Sequence, residues 1–196
     1  FGVKYIIAPM VETPYALRKY IAAVEKVFGE SEREDLTFLF NLETITAYEN
    51  LEAMVAVASD STNCHGVVFG RVDFAGSIGM GRSGIESEQV TNCGLRAASL
   101  CREKDLEFVV GGAVSIDAFD NLKQISDVHL NRFETRKVVF QASSLLNAEI
   151  ESGLKDAVHF ELLWLLNKRD YYGFIHKEDE GRIKMLEDRW KVLENG

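Results

Sequence analysis

Proline is scarce in this chain, with two residues in 196, and no proline- or serine-rich stretch divides it into separate domains. Basic charge is also short: 22 Lys and Arg stand against 31 Asp and Glu, for a formal net charge of −9. Phosphate backbones are bound by clustered Lys and Arg, so a nucleic-acid partner is excluded as an expectation. No apolar run approaches the roughly 18–20 residues that span a bilayer, and no basic-then-apolar segment opens the chain. No membrane association is expected. Cysteine is limited to Cys64, Cys93 and Cys101, an odd number in a chain too large to need covalent staples. They read as reduced thiols of a cytoplasmic protein, and no His or further Cys lies at ligand spacing to make Cys93 and Cys101 a metal pair. The chain opens at Phe1 rather than at Met, two residues before a strand, and is expected to be part of a longer polypeptide.

A 46% hydrophobic content supports a globular domain with a real core. Apolar runs rich in β-branched and aromatic residues alternate with amphipathic stretches. Strands are expected at 3–8, 36–42, 66–69, 107–110 and 127–130. Helices are expected from Pro14 to about Val27 with Thr13 as N-cap, over Leu51, Met54, Val55 and Ala58, over about 86–102, and over 117–123. Strands this apolar, without clean alternation, belong in a parallel sheet covered by helices. The remainder reads as helical: 133–154, packing through Val139, Ala142, Leu146 and Ile150, then an apolar stretch at 157–166, then a terminal helix with Ile183, Leu186, Trp190 and Leu193 at 3-4-3 spacing. Five βα units fit either part of an eight-stranded barrel or an open doubly wound sheet. The division expected is a barrel-like domain at 1–154 and a helical extension at 155–196.

Glu43 and Asp73 each stand where an apolar run gives way to a loop, and about thirty residues separate them. That is the length of one strand–helix unit, so both carboxylates should emerge side by side from one edge of a parallel sheet. Two hard oxygen ligands there suit Mg²⁺ or Mn²⁺ with water and an anionic substrate in the other positions. Spacing alone equally allows helix-capping acids.

Three segments occur in order: Tyr5-Ile6-Ile7-Ala8-Pro9-Met10-Val11-Glu12-Thr13, then Asn41-Leu42-Glu43-Thr44 with Ala47, Asn50 and Leu51, then Gly66-Val67-Val68-Phe69-Gly70-Arg71-Val72-Asp73-Phe74 with Gly79. As a set they resemble the HpcH/HpaI aldolase and citrate lyase β-subunit family of phosphoenolpyruvate/pyruvate-type barrels, over roughly residues 3–135. The resemblance implies a (β/α)₈ TIM-barrel type, represented by its later five βα units plus C-terminal helices. It implies that Glu43 and Asp73 hold a divalent metal (Mg²⁺, or Mn²⁺ or Co²⁺). It also implies that backbone groups at Gly70 and Val72 face a bound keto-acid. The activity implied is metal-dependent aldol or citrate-lyase-like carbon–carbon cleavage of a small keto-acid or acyl-CoA substrate through a pyruvate-like enolate. The family's substrate arginine and helper histidine come from early strands that this chain lacks, which leaves the proton-transfer groups unassigned.

Arg71 departs from the family, which usually has proline there. It reads either as a clamp for a substrate carboxylate or phosphate, or as an outward side chain paired with an acid. Glu12 reads as a helix-start acid or as an outer partner of the metal site. Gly76-Ser77-Ile78-Gly79-Met80-Gly81-Arg82-Ser83 mimics a phosphate loop with Arg in place of the essential Lys, and otherwise reads as a flexible loop at a barrel mouth. The charged run Arg132, Glu134, Thr135, Arg136 and Lys137 could meet an anionic group or simply begin a helix. His65, His129, His159 and His176 read as structural. The apolar stretch around Trp164 is expected to mediate a homo-oligomer, or to cap the core. Two other functions stay open: a noncatalytic fragment or scaffold of such a barrel, and a nucleotide-binding α/β protein.

Overall fold

The computed structural model describes residues 2–194, with the side chains at 192 and 193 left aside. Six strands form one sheet in sequence order: β1 (Tyr5–Ala8), β2 (Thr37–Leu42), β3 (Gly66–Gly70), β4 (Glu107–Gly111), β5 (Arg132–Glu134) and β6 (Val139–Gln141). The first five are parallel and β6 returns antiparallel to β5. Between them lie α1 (Pro14–Val27), α2 (Glu30–Glu34), α3 (Ile45–Glu49), α4 (Leu51–Ser59), α5 (Arg71–Ser77), α6 (Glu88–Glu103) and α7 (Phe119–Val128). This is a partial TIM barrel: a curled half-barrel sheet with helices against one face.

Local chemistry explains the elements. In α1, Thr13 Oγ1 accepts the Ala16 N–H, Pro14 occupies the first turn, and Leu17, Ile21 and Val24 are buried at helical spacing. Ser87 caps α6 in the same way. Even-numbered positions of the central strands, such as Phe38, Phe40 and Phe108, turn towards the helices with Val67 and Phe69. The opposite face carries a small second cluster of Leu39, Val68 and Val109 with Ile7 against it. The sheet curls far enough that the Arg132 guanidinium of β5 stacks over the Tyr5 ring of β1, 4.1 Å from its centroid. Arg132 also bonds Glu107 of β4.

Three expectations need correction. First, the fifth strand is not 127–130: α7 continues to Val128, because Leu122 and Ile125 bury one helical face, and the strand begins at Arg132. Second, no single helix covers 133–154: only a short 3-10 turn at Ala142–Leu146 and the start of α8 at Ile150 are helical there. Thr135 Oγ1 accepts the N–H groups of Lys137 and Val138, a local turn that competes with helix, and the chain folds back as β6 with Phe140 stacked on Phe133 at 5.1 Å. Val139 and Leu146 are exposed, and Leu145 is the residue that is buried. Third, the tail is not broken into helices: α8 runs without interruption over Ile150–Glu194. The helix expected over Leu51, Met54, Val55 and Ala58 is α4, which buries those four residues and is preceded by the short α3 with Thr44 as its cap. The side chain of Leu193, part of the expected tail stripe, lies outside the described residues.

The chain divides into two compact units, Phe1–Lys155 and Asp156–Gly196. The second is helical, and its large apolar side chains are exposed, Trp164 by 50% and Trp190 by 61%. Among the described residues, no helix is long and apolar enough to cross a membrane.

Candidate active site at the carboxyl edge of the sheet

Glu43 directly follows β2, and Asp73 lies in the first turn of α5, directly after β3. Leu42 pairs with Phe69 across these two parallel strands, so both acids leave the same edge of the sheet on neighbouring strands. Their surroundings differ. Glu43 is 5% exposed; its Oε1 accepts the Met10 N–H at 2.7 Å and its Oε2 accepts Asn41 Nδ2 at 2.9 Å. Asn41 and Glu43 share a face because side chains alternate along a strand. Met10 reaches Glu43 from a backbone with φ of 53°, an uncommon conformation for a residue with a side chain. The carboxylate is thereby fixed in direction, with one lone pair left on each oxygen. Asp73 is exposed and lines a cleft of about 470 Å³ together with Met10, Thr44, Val72, Ser77 and Arg82. Glu43, Gly70 and Arg71 are not among its walls.

Gly70 stands beneath Glu43. A Cβ at residue 70 would come within 3.0 Å of Glu43 Cβ and 3.1 Å of its Oε2, so the absence of a side chain there is what lets the carboxylate lean across β3. Gly112, with φ of 85°, makes a second close approach. A Cβ on it would stand 2.8 Å from the Val72 nitrogen and 2.9 Å from the Arg71 nitrogen.

Arg71 is 2% exposed. Its Nη1 donates to both oxygens of Glu86, at 3.0 and 2.8 Å, and its Nη2 donates to the Gly112 carbonyl at 2.9 Å. Asn121 Nδ2 adds a further bond to Glu86 at 2.7 Å. Burial lowers the Arg71 pKa, and the Glu86 charge opposes that shift. Only Nε remains without a partner among the described residues. The side chain therefore ties α5 to the loops before α6 and after β4. Its partner Glu86 was invisible in the sequence, since nothing there links residues fifteen apart across a loop.

The other candidates are placed as follows. Glu12 accepts the Thr44 hydroxyl at 2.7 Å, and its carbonyl accepts Asn50 Nδ2, which binds β1's exit to the start of α3. The glycine loop follows α5 rather than a strand, whereas a phosphate loop runs from strand to helix without an intervening turn of helix. Arg132 sits on Glu107 and Tyr5, beneath the mouth. His65 Nδ1 accepts the Phe38 N–H at the opposite edge of the sheet. Burial pushes the Cys64 and Cys101 thiols up to about 12, which makes both inert.

Among the described residues, no three His, Cys, Asp or Glu side chains gather closely enough to hold a metal by themselves. Mg²⁺ does not require that: it keeps several waters and is held through one or two carboxylates plus substrate oxygens. Glu43, oriented by Met10 and Asn41, and Asp73 each supply hard oxygens of the type such an ion takes, from neighbouring strands of one sheet edge.

No protein-family profile matches the chain, and no curated protein matches it. Solved structures do share the fold. An HpcH/HpaI aldolase from Desulfitobacterium hafniense DCB-2 superposes with a TM-score of 0.55 at 14% identity, covering 79% of this chain and 64% of that one. The citrate synthase SbnG gives 0.56 at 13% identity, covering 88% and 65%. RipC from Yersinia pestis gives 0.51 at 18% identity, covering 67% and 57%. The chain thus spans less than two thirds of the length of each. Several neighbours are HpcH/HpaI aldolase and citrate lyase family proteins, and the half-barrel seen here is a part of the barrel they share.

Proposed function

We propose that the chain carries the metal-binding half of a divalent-metal-dependent carbon–carbon lyase, which cleaves a 4-hydroxy-2-keto acid or a citrate-like acyl-CoA substrate through a pyruvate-like enolate. The observation that supports this most is the pair Glu43 and Asp73 at the ends of adjacent parallel strands, in a fold used by aldolases. Glu43 and Asp73 would hold the divalent cation, which when bound would supply positive charge against the developing enolate, worth several kcal/mol. The chain's own groups do the rest. Met10 and Asn41 hold Glu43 in one orientation. Gly70 gives the Glu43 carboxylate room to lean over β3, and Gly112 lets the loop after β4 pack against the Arg71 and Val72 backbone at the start of α5. Arg71, engaged by Glu86, fixes the start of α5 and so the position of Asp73.

The test is pyruvate release from a panel of 4-hydroxy-2-keto acids and acyl-CoA esters with Mg²⁺, Mn²⁺ or Co²⁺. Oxalate, which copies the planar enolate, should inhibit competitively. No release with any metal, together with no inhibition by millimolar oxalate of any activity found, would reject the proposal. A noncatalytic scaffold is the second reading. It is favoured by β1, whose outer edge pairs with no strand among the described residues.

A further inference from the structure

A second carboxylate repeats the placement of Glu43 three strands further on, at the end of β5. Glu134 ends β5 and leans over β4 as Glu43 leans over β3. A Cβ at Gly111 would stand 3.1 Å from Glu134 Oε1 and 3.3 Å from its Cγ. Gly70 and Gly111 are register partners, so their missing side chains would point to the same face, from backbones roughly 4.8 Å apart. Two bare glycines thus floor the mouth, each overhung by a carboxylate from the strand outside it. The two acids are held differently. Glu43 accepts two hydrogen bonds, whereas no side-chain or backbone donor reaches the Glu134 carboxylate among the described residues. The acid fixed by donors is suited to be a ligand. The acid left without donors, half out of water, is suited to exchange a proton.

We propose that Glu134 is the general base and acid of this site, an assignment that rests on the lyase reading above. In cleavage of a 4-hydroxy-2-keto acid, its carboxylate takes the proton of the 4-hydroxyl. The C3–C4 bond breaks, the oxygen's electron pair becomes the carbonyl of the departing aldehyde, and the C3–C4 pair becomes the enolate. Glu134 then returns the proton to C3, which gives pyruvate and restores the carboxylate. Atoms and charges balance with no further reactant. Desolvation raises the Glu134 pKa, which moves a carboxylate towards the range in which it can both take and give a proton near neutrality. Arg132 on the same strand opposes that rise and is itself paired with Glu107 of β4; β6 brings no charged side chain against it.

The experiment follows deuterium exchange at C3 of pyruvate by proton NMR in the full chain with Mn²⁺, and Mn²⁺ affinity by calorimetry. Glu134→Gln should slow exchange by about a hundredfold or more while leaving Mn²⁺ affinity unchanged. Glu134→Ala should be equally slow and regain exchange on addition of formate, whose carboxylate can occupy the space above Gly111. Exchange at the parent rate in both variants overturns the assignment. So does a loss of Mn²⁺ affinity, which would make Glu134 a ligand, and so does failure of formate to restore exchange, which would leave it a packing role. If the parent chain exchanges nothing with Mg²⁺, Mn²⁺ or Co²⁺, the lyase reading falls and this assignment with it.

Discussion

The half-barrel and the tail helix are comparably rich in aromatic and aliphatic residues, yet they use them oppositely. In the half-barrel, Phe38, Phe40 and Phe108 are wholly buried, and the buried guanidinium of Arg71 is held by Glu86 and the Gly112 carbonyl. In the tail, Trp164, Phe174 and Trp190 are half or more exposed, and the ion pairs, such as Arg169 with Asp170, are surface pairs. The same composition therefore makes a core in one place and a surface in the other. Exposed apolar side chains at this density are uncommon on a monomer surface. We propose that the tail meets a second copy of this chain, since closed symmetric homo-oligomers are the commonest assemblies.

Substitutions sharpen the contrast. Phe108→Ala should cost about 3–5 kcal/mol of stability by denaturant unfolding, since the ring is fully buried among core residues. Arg71→Met should cost about 1–3 kcal/mol, because the Gly112 carbonyl and the part-buried Glu86 lose their charged donor. Trp164→Ala should change the stability of the dilute chain by no more than about 0.5 kcal/mol. It should also reduce the oligomer size seen by light scattering. An unchanged oligomer after this substitution, and after truncation at Leu154, would remove the tail from the interface.

A smaller effect concerns pH. Burial raises the Glu134 pKa in the folded chain, so the folded state holds that proton more tightly than the unfolded one. The associated stability is full below the unfolded carboxyl value of about 4.3 and is lost as pH rises through the higher folded value. Glu134→Gln should therefore melt with the parent in acid and above it at neutral pH. Coincident melting curves at both would mean that the carboxylate is not desolvated.

How much of this was legible beforehand follows from which residues carry the signal. β1 to β4, α1 and α6 could be read, because their apolar runs and caps are local. The shared edge of Glu43 and Asp73 could be read too, from the length of one βα unit. β5 could not: Arg132 and Glu134 put charge on the face of the strand away from the helices, and only Tyr5 and Glu107, distant in sequence, make that tolerable. β6 was hidden by the helical spacing of Val139, Ala142 and Leu146, which the Thr135 turn overrides. The donors on Glu43 were partly visible, since Asn41 shares its strand face, but Met10 reaches it through an unusual backbone conformation that no pattern announces. Glu134 was visible only as one charge in a charged run; the bare Gly111 that gives it room becomes meaningful once β4 and β5 are paired.

Calorimetric titration of Mn²⁺ into the parent chain, Glu43→Gln and Asp73→Asn tests whether the two carboxylates share one ion. The expected result is one site per chain in the parent and loss of measurable binding in both variants, with circular dichroism unchanged. Equal affinity in all three would contradict it.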